Sequence, residues 1–226
     1  MMPGMSALRF VLLSDTHMHH GRLVVPAGDV LVHAGDSTSR GTPAQLRSVA
    51  AFIAAQPHRH KIVIAGNHDF GLEQSPTLGA ELFGPAYLSD SGCEVDGVRV
   101  WGTPWQPWFY DWAFNLPRGP ALAAKWALIP ALTDVLITHG PPMGVLDKTS
   151  RDEHVGCQDL REAVAKVRPR LHVFGHIHEA YGVHRDDHTL FVNASNCTLG
   201  YEPDNPVIVV DVPTDRARPA EVVADP

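Results

Sequence analysis

Five short strings in this 226-residue chain combine carboxylate, amide and imidazole groups in a way that suits metal chemistry. In chain order they are Ser14-Asp15-Thr16-His17, Gly35-Asp36, Gly66-Asn67-His68-Asp69, Thr138-His139-Gly140 and Gly175-His176-Ile177-His178. They offer the carboxylates of Asp15 and Asp36, the amide of Asn67 and five imidazoles. Two divalent cations about 3.5–4 Å apart can clamp a phosphate, activate water and stabilise a leaving oxygen. Such a pair needs one carboxylate to bridge it. It also needs several neutral nitrogens, so that ligand charge does not cancel the Lewis acidity. A mixed His/Asp/Asn set suits Mn, Fe, Co or Zn rather than the all-oxygen shells of Mg or Ca. On extended backbone Asp15 and His17, two residues apart, would point the same way, and so would His176 and His178. The inventory is that of a two-metal hydrolytic site with one imidazole to spare. Each string is weak alone; the ordered set carries the inference.

The elements that must position these residues are legible just upstream of each. Apolar runs at Leu8–Leu13, Val30–Ala34, Ile62–Ala65, Val135–Ile137 and Leu171–Phe174 each end at one of the strings. Runs this short, without polar alternation, predict strands buried on both faces. In open α/β sheets ligands bind beyond the carboxyl ends of strands, and glycine there lets the backbone pass close to a ligand. Pro43–Gln56 reads as a helix capped by Thr42, with proline in its first turn. Pro120–Leu128 and Gln158–Val167 are further helices. Glu94–Trp101 reads as a hairpin around Asp96-Gly97. Thr189–Ala194 and Val207–Val212 read as late strands. A single α/β domain is expected over residues 7–212, with 213–226 a loosely attached, polar tail.

Bulk properties narrow the function classes. The length suits one well-buried domain. A net charge of −7 argues against stable nucleic-acid binding, which needs a basic face. It leaves a small anionic substrate open, because bound cations dominate the local field. No stretch approaches the roughly 20 apolar residues of a membrane span, and the N-terminal residues show no basic segment followed by an apolar one. Cys93, Cys157 and Cys197 are widely spaced, which reads as reduced thiols in a cytoplasmic protein.

The ordered set DxH, GD, GNHD, THG, GHxH resembles the calcineurin-like metallophosphoesterase superfamily. Within it, the chain is most similar to the small brain-type metallophosphodiesterases and their bacterial relatives. The strings Lys61-Ile62-Val63-Ile64-Ala65-Gly66-Asn67-His68, Phe114-Asn115-Leu116-Pro117-Arg118-Gly119, Thr138-His139-Gly140-Pro141-Pro142 and Asn193-Ala194-Ser195 carry that similarity. The resemblance implies a four-layer α/β/β/α sandwich, with two packed mixed sheets and a dinuclear site at the strand ends. It implies that Asp15, His17 and His178 hold one metal, that Asn67, His139 and His176 hold the other, and that Asp36 bridges. His68 would face the substrate, and Asp69 would orient His68. Vertebrate relatives can carry glycine where this chain has His176, so an intact two-metal site is expected, with Mn favoured. The activity implied is hydrolysis of small phosphodiesters, including cyclic nucleotides, by a metal-bridging hydroxide attacking phosphorus. A phosphomonoesterase or protein phosphatase on the same fold is the alternative, as is a metal-binding scaffold of low activity.

Four of the five tryptophans fall between Trp101 and Trp112. This stretch reads as a stacking wall for a nucleobase, as a packed corner, or as a contact between copies in a homo-oligomer. Trp105 and Trp108 are its candidates for substrate contact. Asn115 and Arg118 follow in the same insertion, and Arg118 could pair with phosphate bidentately or lie at the surface. His33, inside a strand, reads as a core histidine.

Overall fold

The computed structural model describes residues 7–223. The first half contains β1 (Ala7–Leu13), β2 (Val30–Ala34), α1 (Pro43–Ala55), β3 (His60–Ile64), α2 (Phe70–Gln74) and α3 (Leu78–Phe83). Then come β4 (Ser91–Val95), β5 (Val98–Thr103), β6 (Gln106–Pro107), β7 (Asn115–Leu116), α4 (Pro120–Trp126) and β8 (Val135–Thr138). The chain continues through α5 (Gln158–Val167), β9 (Leu171–Phe174), β10 (Gly182–Arg185), β11 (Leu190–Asn193), β12 (Ile208–Pro213) and β13 (Glu221–Val222).

All five predicted apolar runs are strands, and they divide between two mixed sheets. The first sheet has the order β13-β12-β1-β2-β3, with β1, β2 and β3 parallel. The second has the order β10-β11-β9-β8-β5-β4, with β11, β9, β8 and β5 parallel. Alternate residues fix the layering. Phe10, Leu12, Val32 and Ile64 of the first sheet meet Val100, Ile137, Val173 and Val192 of the second in one core. The opposite face of the first sheet, Val11, Leu13, Leu31 and Val63, packs on Val49 and Ile53 of α1. The opposite face of the second, Leu136, Phe174 and Phe191, packs on Leu122 and Trp126 of α4 and Leu160 and Val164 of α5. The result is the expected α/β/β/α sandwich. Each fully buried Leu, Ile or Phe in it contributes roughly 1.5–3 kcal/mol before entropy is counted.

The Thr42 cap is present, its hydroxyl accepting from Gln45 N–H at 3.3 Å. The hairpin at Asp96-Gly97 is β4–β5. Two features differ from expectation. The short helices α2 and α3 were not read, because neither spans enough turns to show a period. The chain also does not leave the fold at Pro213: Ala220 is fully buried in the core and Glu221–Val222 pair with β12 as an edge strand. An edge strand this short has little periodicity to read. Residues 224–226 of the expected tail lie outside the described residues.

Candidate metal centre

The ends of β1, β2, β3, β8 and β9 converge on one edge of the sandwich, where both sheets deliver their motif residues. Three sets of side chains meet there with potential ligand atoms within 4.8 Å of one another: Asp15 with His17 and His178, Asp36 with His139 and His176, and Asp36 with His17 and His68. Asn67 joins the second set, its Oδ1 lying 3.0 Å from His139 Nε2. All seven predicted metal ligands and His68 are thus brought together, and Asp36 belongs to both sides.

The local backbone is unusual. Asp15, His17, Asp36 and His176 have φ of +51°, +39°, +53° and +71°. Side-chain-bearing residues avoid this region, at a cost of order 1–3 kcal/mol each. The extended geometry expected for the two DxH-type pairs is therefore absent. His176 and His178 do not point the same way; they fall in different sets. Close approach also explains two glycines. A side chain at Gly66 would strike the Asp36 carboxylate, and one at Gly175 the Asp15 carboxylate.

Hydrogen bonds aim the groups. Asp15 accepts from the His176 backbone N–H at 3.0 Å and from Ser195 Oγ at 2.9 Å. His139 Nδ1 faces Ala34 O, and His178 Nδ1 faces Thr198 O, both at 3.0 Å. Donation through Nδ1 leaves Nε2 as the free coordinating atom. His178 Nε2 lies 3.3 Å from Asp15 Oδ1 and from His17 Nε2. His139 Nε2 lies 3.4 Å from Asp36 Oδ1.

Electrostatics fit a cation. Asp15 and Asp36 are buried, and among the described residues their ion-pair partners are imidazoles only. Burial raises the Asp36 carboxyl, but His139, then His68 and His17, outweigh it and hold it below the usual range. Burial likewise raises Asp15, and the bond and charge of His178 outweigh it. Burial lowers His139, but Asp36 pushes it up to about 9. Burial drives His17 down to about 4 and His176 to about 3. Two buried anions with no lysine or arginine paired to them draw protons onto their neighbouring imidazoles, and cations bound between them would take the place of those protons. The mixed carboxylate, amide and imidazole donor set fits divalent metal ions, with Asp36 common to both groups of ligands.

The remaining predicted residues divide. His68 Nδ1 faces Ser39 O at 3.0 Å, and its Nε2 points inward, 3.9 Å from Asp36 Oδ2. Asp69 does not hold that ring. Its carboxylate accepts from Gly66 N, Thr38 N and the Ser37 and Thr38 hydroxyls, bracing the loop after β2 against the loop after β3. Trp105 is a packed corner: Nε1 donates to Asp90 at 2.9 Å, and Lys125 lies over the ring. Asn115 ties the turn after β6, donating to Phe109 O and Tyr110 O. Arg118 donates to Val155 O and Gly156 O at 2.7 and 2.6 Å. Trp108, Phe109 and Arg118 line a cleft of about 350 Å³ that reaches His176. His33 is fully buried, with Nε2 on Thr16 Oγ1. A larger cavity of about 420 Å³, between α5 and β10–β11, is lined by none of the predicted site residues.

Three aromatic rings border the centre and were not singled out from sequence. Trp112 stacks at 4.3 Å and 34° on His68. Phe109 meets His176 edge-on at 5.1 Å. Tyr201 lies 4.8 Å from His17 and 5.3 Å from His178. The tryptophan-rich stretch was a signal for the first two; a single tyrosine after Leu199-Gly200 gave none.

A model of the calcineurin-like phosphoesterases matches residues 8–180. Human metallophosphoesterase domain-containing protein 1 is 47% identical over 234 residues, covering 92% of this chain and 72% of that protein. A UPF0046 protein of Caenorhabditis elegans is 37% identical over 225 residues, covering 93% of this chain and 77% of its own. Among solved structures, TT1561 of Thermus thermophilus superposes with a TM-score of 0.62 at 12% identity, covering 96% of this chain and 99% of that one. The purple acid phosphatase PPD1 of yellow lupin seeds superposes with a TM-score of 0.51 at 11% identity, over 92% of this chain and 50% of its own. At these identities the two structures show the shared fold alone.

Proposed function

The chain belongs to the calcineurin-like phosphoesterases, metal-dependent phosphoester hydrolases, and from that premise we propose that its substrates are small phosphodiesters, cyclic nucleotides among them. The observation that carries this reading is the cleft lined by Trp108, Phe109 and Arg118, which opens directly on His176. A diester carries two organic groups, and an apolar cleft at the metal edge houses one of them beside the reacting phosphorus.

In this reading Asp15, His17 and His178 hold one cation and Asn67, His139 and His176 the other, with Asp36 shared. Mn is favoured for this mixed nitrogen and oxygen set. When bound, the pair supplies Lewis acidity toward the phosphoryl oxygens and activates water near neutral pH. The chain's own residues do the rest. Ser195 and the His176 N–H fix Asp15, and the carbonyls of Ala34 and Thr198 fix His139 and His178. His68, with Nδ1 on Ser39 O, presents Nε2 to the centre and from that atom passes a proton to the leaving oxygen. Trp112 packs on the His68 ring, with centroids 4.3 Å apart. No covalent enzyme intermediate is required.

The test compares bis-(p-nitrophenyl) phosphate, p-nitrophenyl phosphate and a cyclic nucleotide on manganese-loaded protein. The diester should show the higher kcat/KM, and the cyclic nucleotide should turn over. Turnover of monoesters alone would replace this reading with a phosphomonoesterase.

A further inference from the structure

We infer that Tyr201 is a substrate-contacting residue that packs against the non-reacting ester group of a diester and sets the preference for diesters over monoesters. The inference rests on the phosphodiesterase reading above and extends it to a residue that borders His17 and His178 rather than the cleft at His176.

Position is the first argument. The Tyr201 ring meets His17 at 69°, His178 at 74° and, at 6.3 Å, His68 at 63°. It touches two of the proposed ligands of one metal and approaches the proposed proton donor. It is nonetheless 47% exposed, so the ring stands at the mouth rather than in the core. Phe109 borders the second metal's His176. The centre is thus flanked by an aromatic ring on each metal's side.

The way the loop is held is the second argument. Tyr201 has φ of +60°, although Gly200 stands beside it without a positive φ. A left-handed backbone that falls on an aromatic residue next to an available glycine is costly, and it persists only where surrounding contacts enforce it. Those contacts are present. Tyr201 N–H donates to Thr198 O at 2.9 Å, and Thr198 N–H donates to Glu202 O at 2.8 Å. Thr198 O also accepts from His178 Nδ1, so the turn that aims Tyr201 also aims a proposed ligand. Arg22 pairs with Glu202 at 2.9 Å and anchors the far side of the turn.

Chemistry gives the specificity. A monoester presents terminal phosphoryl oxygens that require donors or cations. A diester replaces one of them with an ester oxygen carrying carbon, which an aromatic wall accepts. Rings beside both groups of histidines therefore suit a phosphorus bearing two organic groups, and Tyr201 supplies the wall beside His17 and His178.

The experiment uses Tyr201→Ala and Tyr201→Phe in the full chain, loaded with manganese. It measures metal content by elemental analysis, melting temperature, and kcat/KM for bis-(p-nitrophenyl) phosphate and p-nitrophenyl phosphate. The expected result for Tyr201→Ala is two metals per chain and a fall in kcat/KM about tenfold greater for the diester than for the monoester, mostly in KM. Tyr201→Phe should restore the diester preference, because the ring makes the contact. Equal losses on both substrates with full metal content would overturn the inference. So would metal loss in Tyr201→Ala that is cured by excess manganese, since the ring would then support His178 rather than substrate. If the unmodified protein itself shows no diester preference, the phosphodiesterase reading fails first, whatever Tyr201 does.

Discussion

The two sheets bring different chemistry to the same edge. The first supplies both carboxylates and the amide, Asp15, Asp36 and Asn67, together with His17. The second supplies imidazoles alone, His139, His176 and His178. Yet each sheet has a ligand that the other holds. Asp15 is fixed by Ser195 and by the His176 N–H, which follow strands of the second sheet. His139 is fixed by Ala34 O, on a strand of the first. Charge thus comes from one sheet and most of the nitrogen from the other, and neither carries a complete site. The centre exists only while the sheets are docked.

The sharpest way to break this asymmetry is to remove charge from the first sheet and nitrogen from the second. Asp36→Ala should lower activity by several orders of magnitude and release metal, because the shared anion is lost to both sides. His176→Ala removes one neutral ligand from one side and should cost less, with activity partly recovered at high manganese. Elemental analysis and diester turnover at graded manganese check both. Equal damage from the two substitutions would show that charge is not what distinguishes the sheets.

His68 sharpens the comparison, since it leaves the first sheet beside Asn67 yet is assigned to substrate. His68→Ala should keep both metals and lose about 10²–10⁴-fold in kcat. The loss should shrink for p-nitrophenolate, which needs little protonation on leaving. Metal loss in this variant would place His68 among the ligands. A loss independent of the leaving group would make it an electrostatic stabiliser of the phosphoryl oxygens instead.

Cross-bracing also predicts that metal holds the sheets together. A ligand that binds only the folded state at a hundredfold excess over its Kd stabilises by about 2.7 kcal/mol. For a chain of this length each kcal/mol moves Tm by roughly 2–4 °C. Chelation should therefore lower the melting temperature by several degrees, and readdition of manganese should restore it. An unchanged melt in chelator would mean that the docked sheets owe nothing to the centre.

The sequence disclosed this centre because its signal is local. An apolar run that ends at glycine and a ligand-type residue marks a strand exit, and five such exits in order mark a site. Phe109, Trp112 and Tyr201 were hidden for the opposite reason. Their place depends on how Asn115 folds the turn after Gln106–Pro107 and on how Thr198 folds the turn before Glu202. Trp105 had the composition of a substrate wall, but Asp90 and Lys125, distant in sequence, draw it into the structure. Asp69 shows the same limit. Adjacency to His68 suggested a partnership, whereas the strand exit turns its carboxylate toward Gly66, Ser37 and Thr38. The edge strand at Glu221–Val222 is too short for periodicity to reveal.

The smallest effect concerns a device that the sheets share. Each buries one histidine in a strand next to a motif strand: His33 with Nε2 2.9 Å from Thr16 Oγ1, and His172 with Nε2 2.9 Å from Thr138 Oγ1. Each threonine hydroxyl donates onward, Thr16 to Ser37 O and Thr138 to Gly140 O. The histidine must therefore donate through Nε2–H, and its Nδ1, which has no partner, stays unprotonated. Burial pushes both imidazoles down to about 3. The unfolded chain takes up the proton near 6.5 and the folded chain only near 3. Between those values the unfolded state binds more protons, so stability is complete above about pH 6.5 and is lost as pH falls toward 3, with a slope approaching 1.4 kcal/mol per pH unit for each histidine. His33 also feels Asp15 and Asp36, whereas burial alone shifts His172, so His172→Phe is the cleaner probe. Thr138 keeps Gly140 O as its acceptor in that variant. Urea midpoints in chelator from pH 7 to pH 4 should show the variant losing less stability on acidification than the unmodified chain. Parallel curves would mean that His172 is protonated in the folded state or reached by water, and that the buried threonine–histidine pair of the second sheet carries no acid sensitivity.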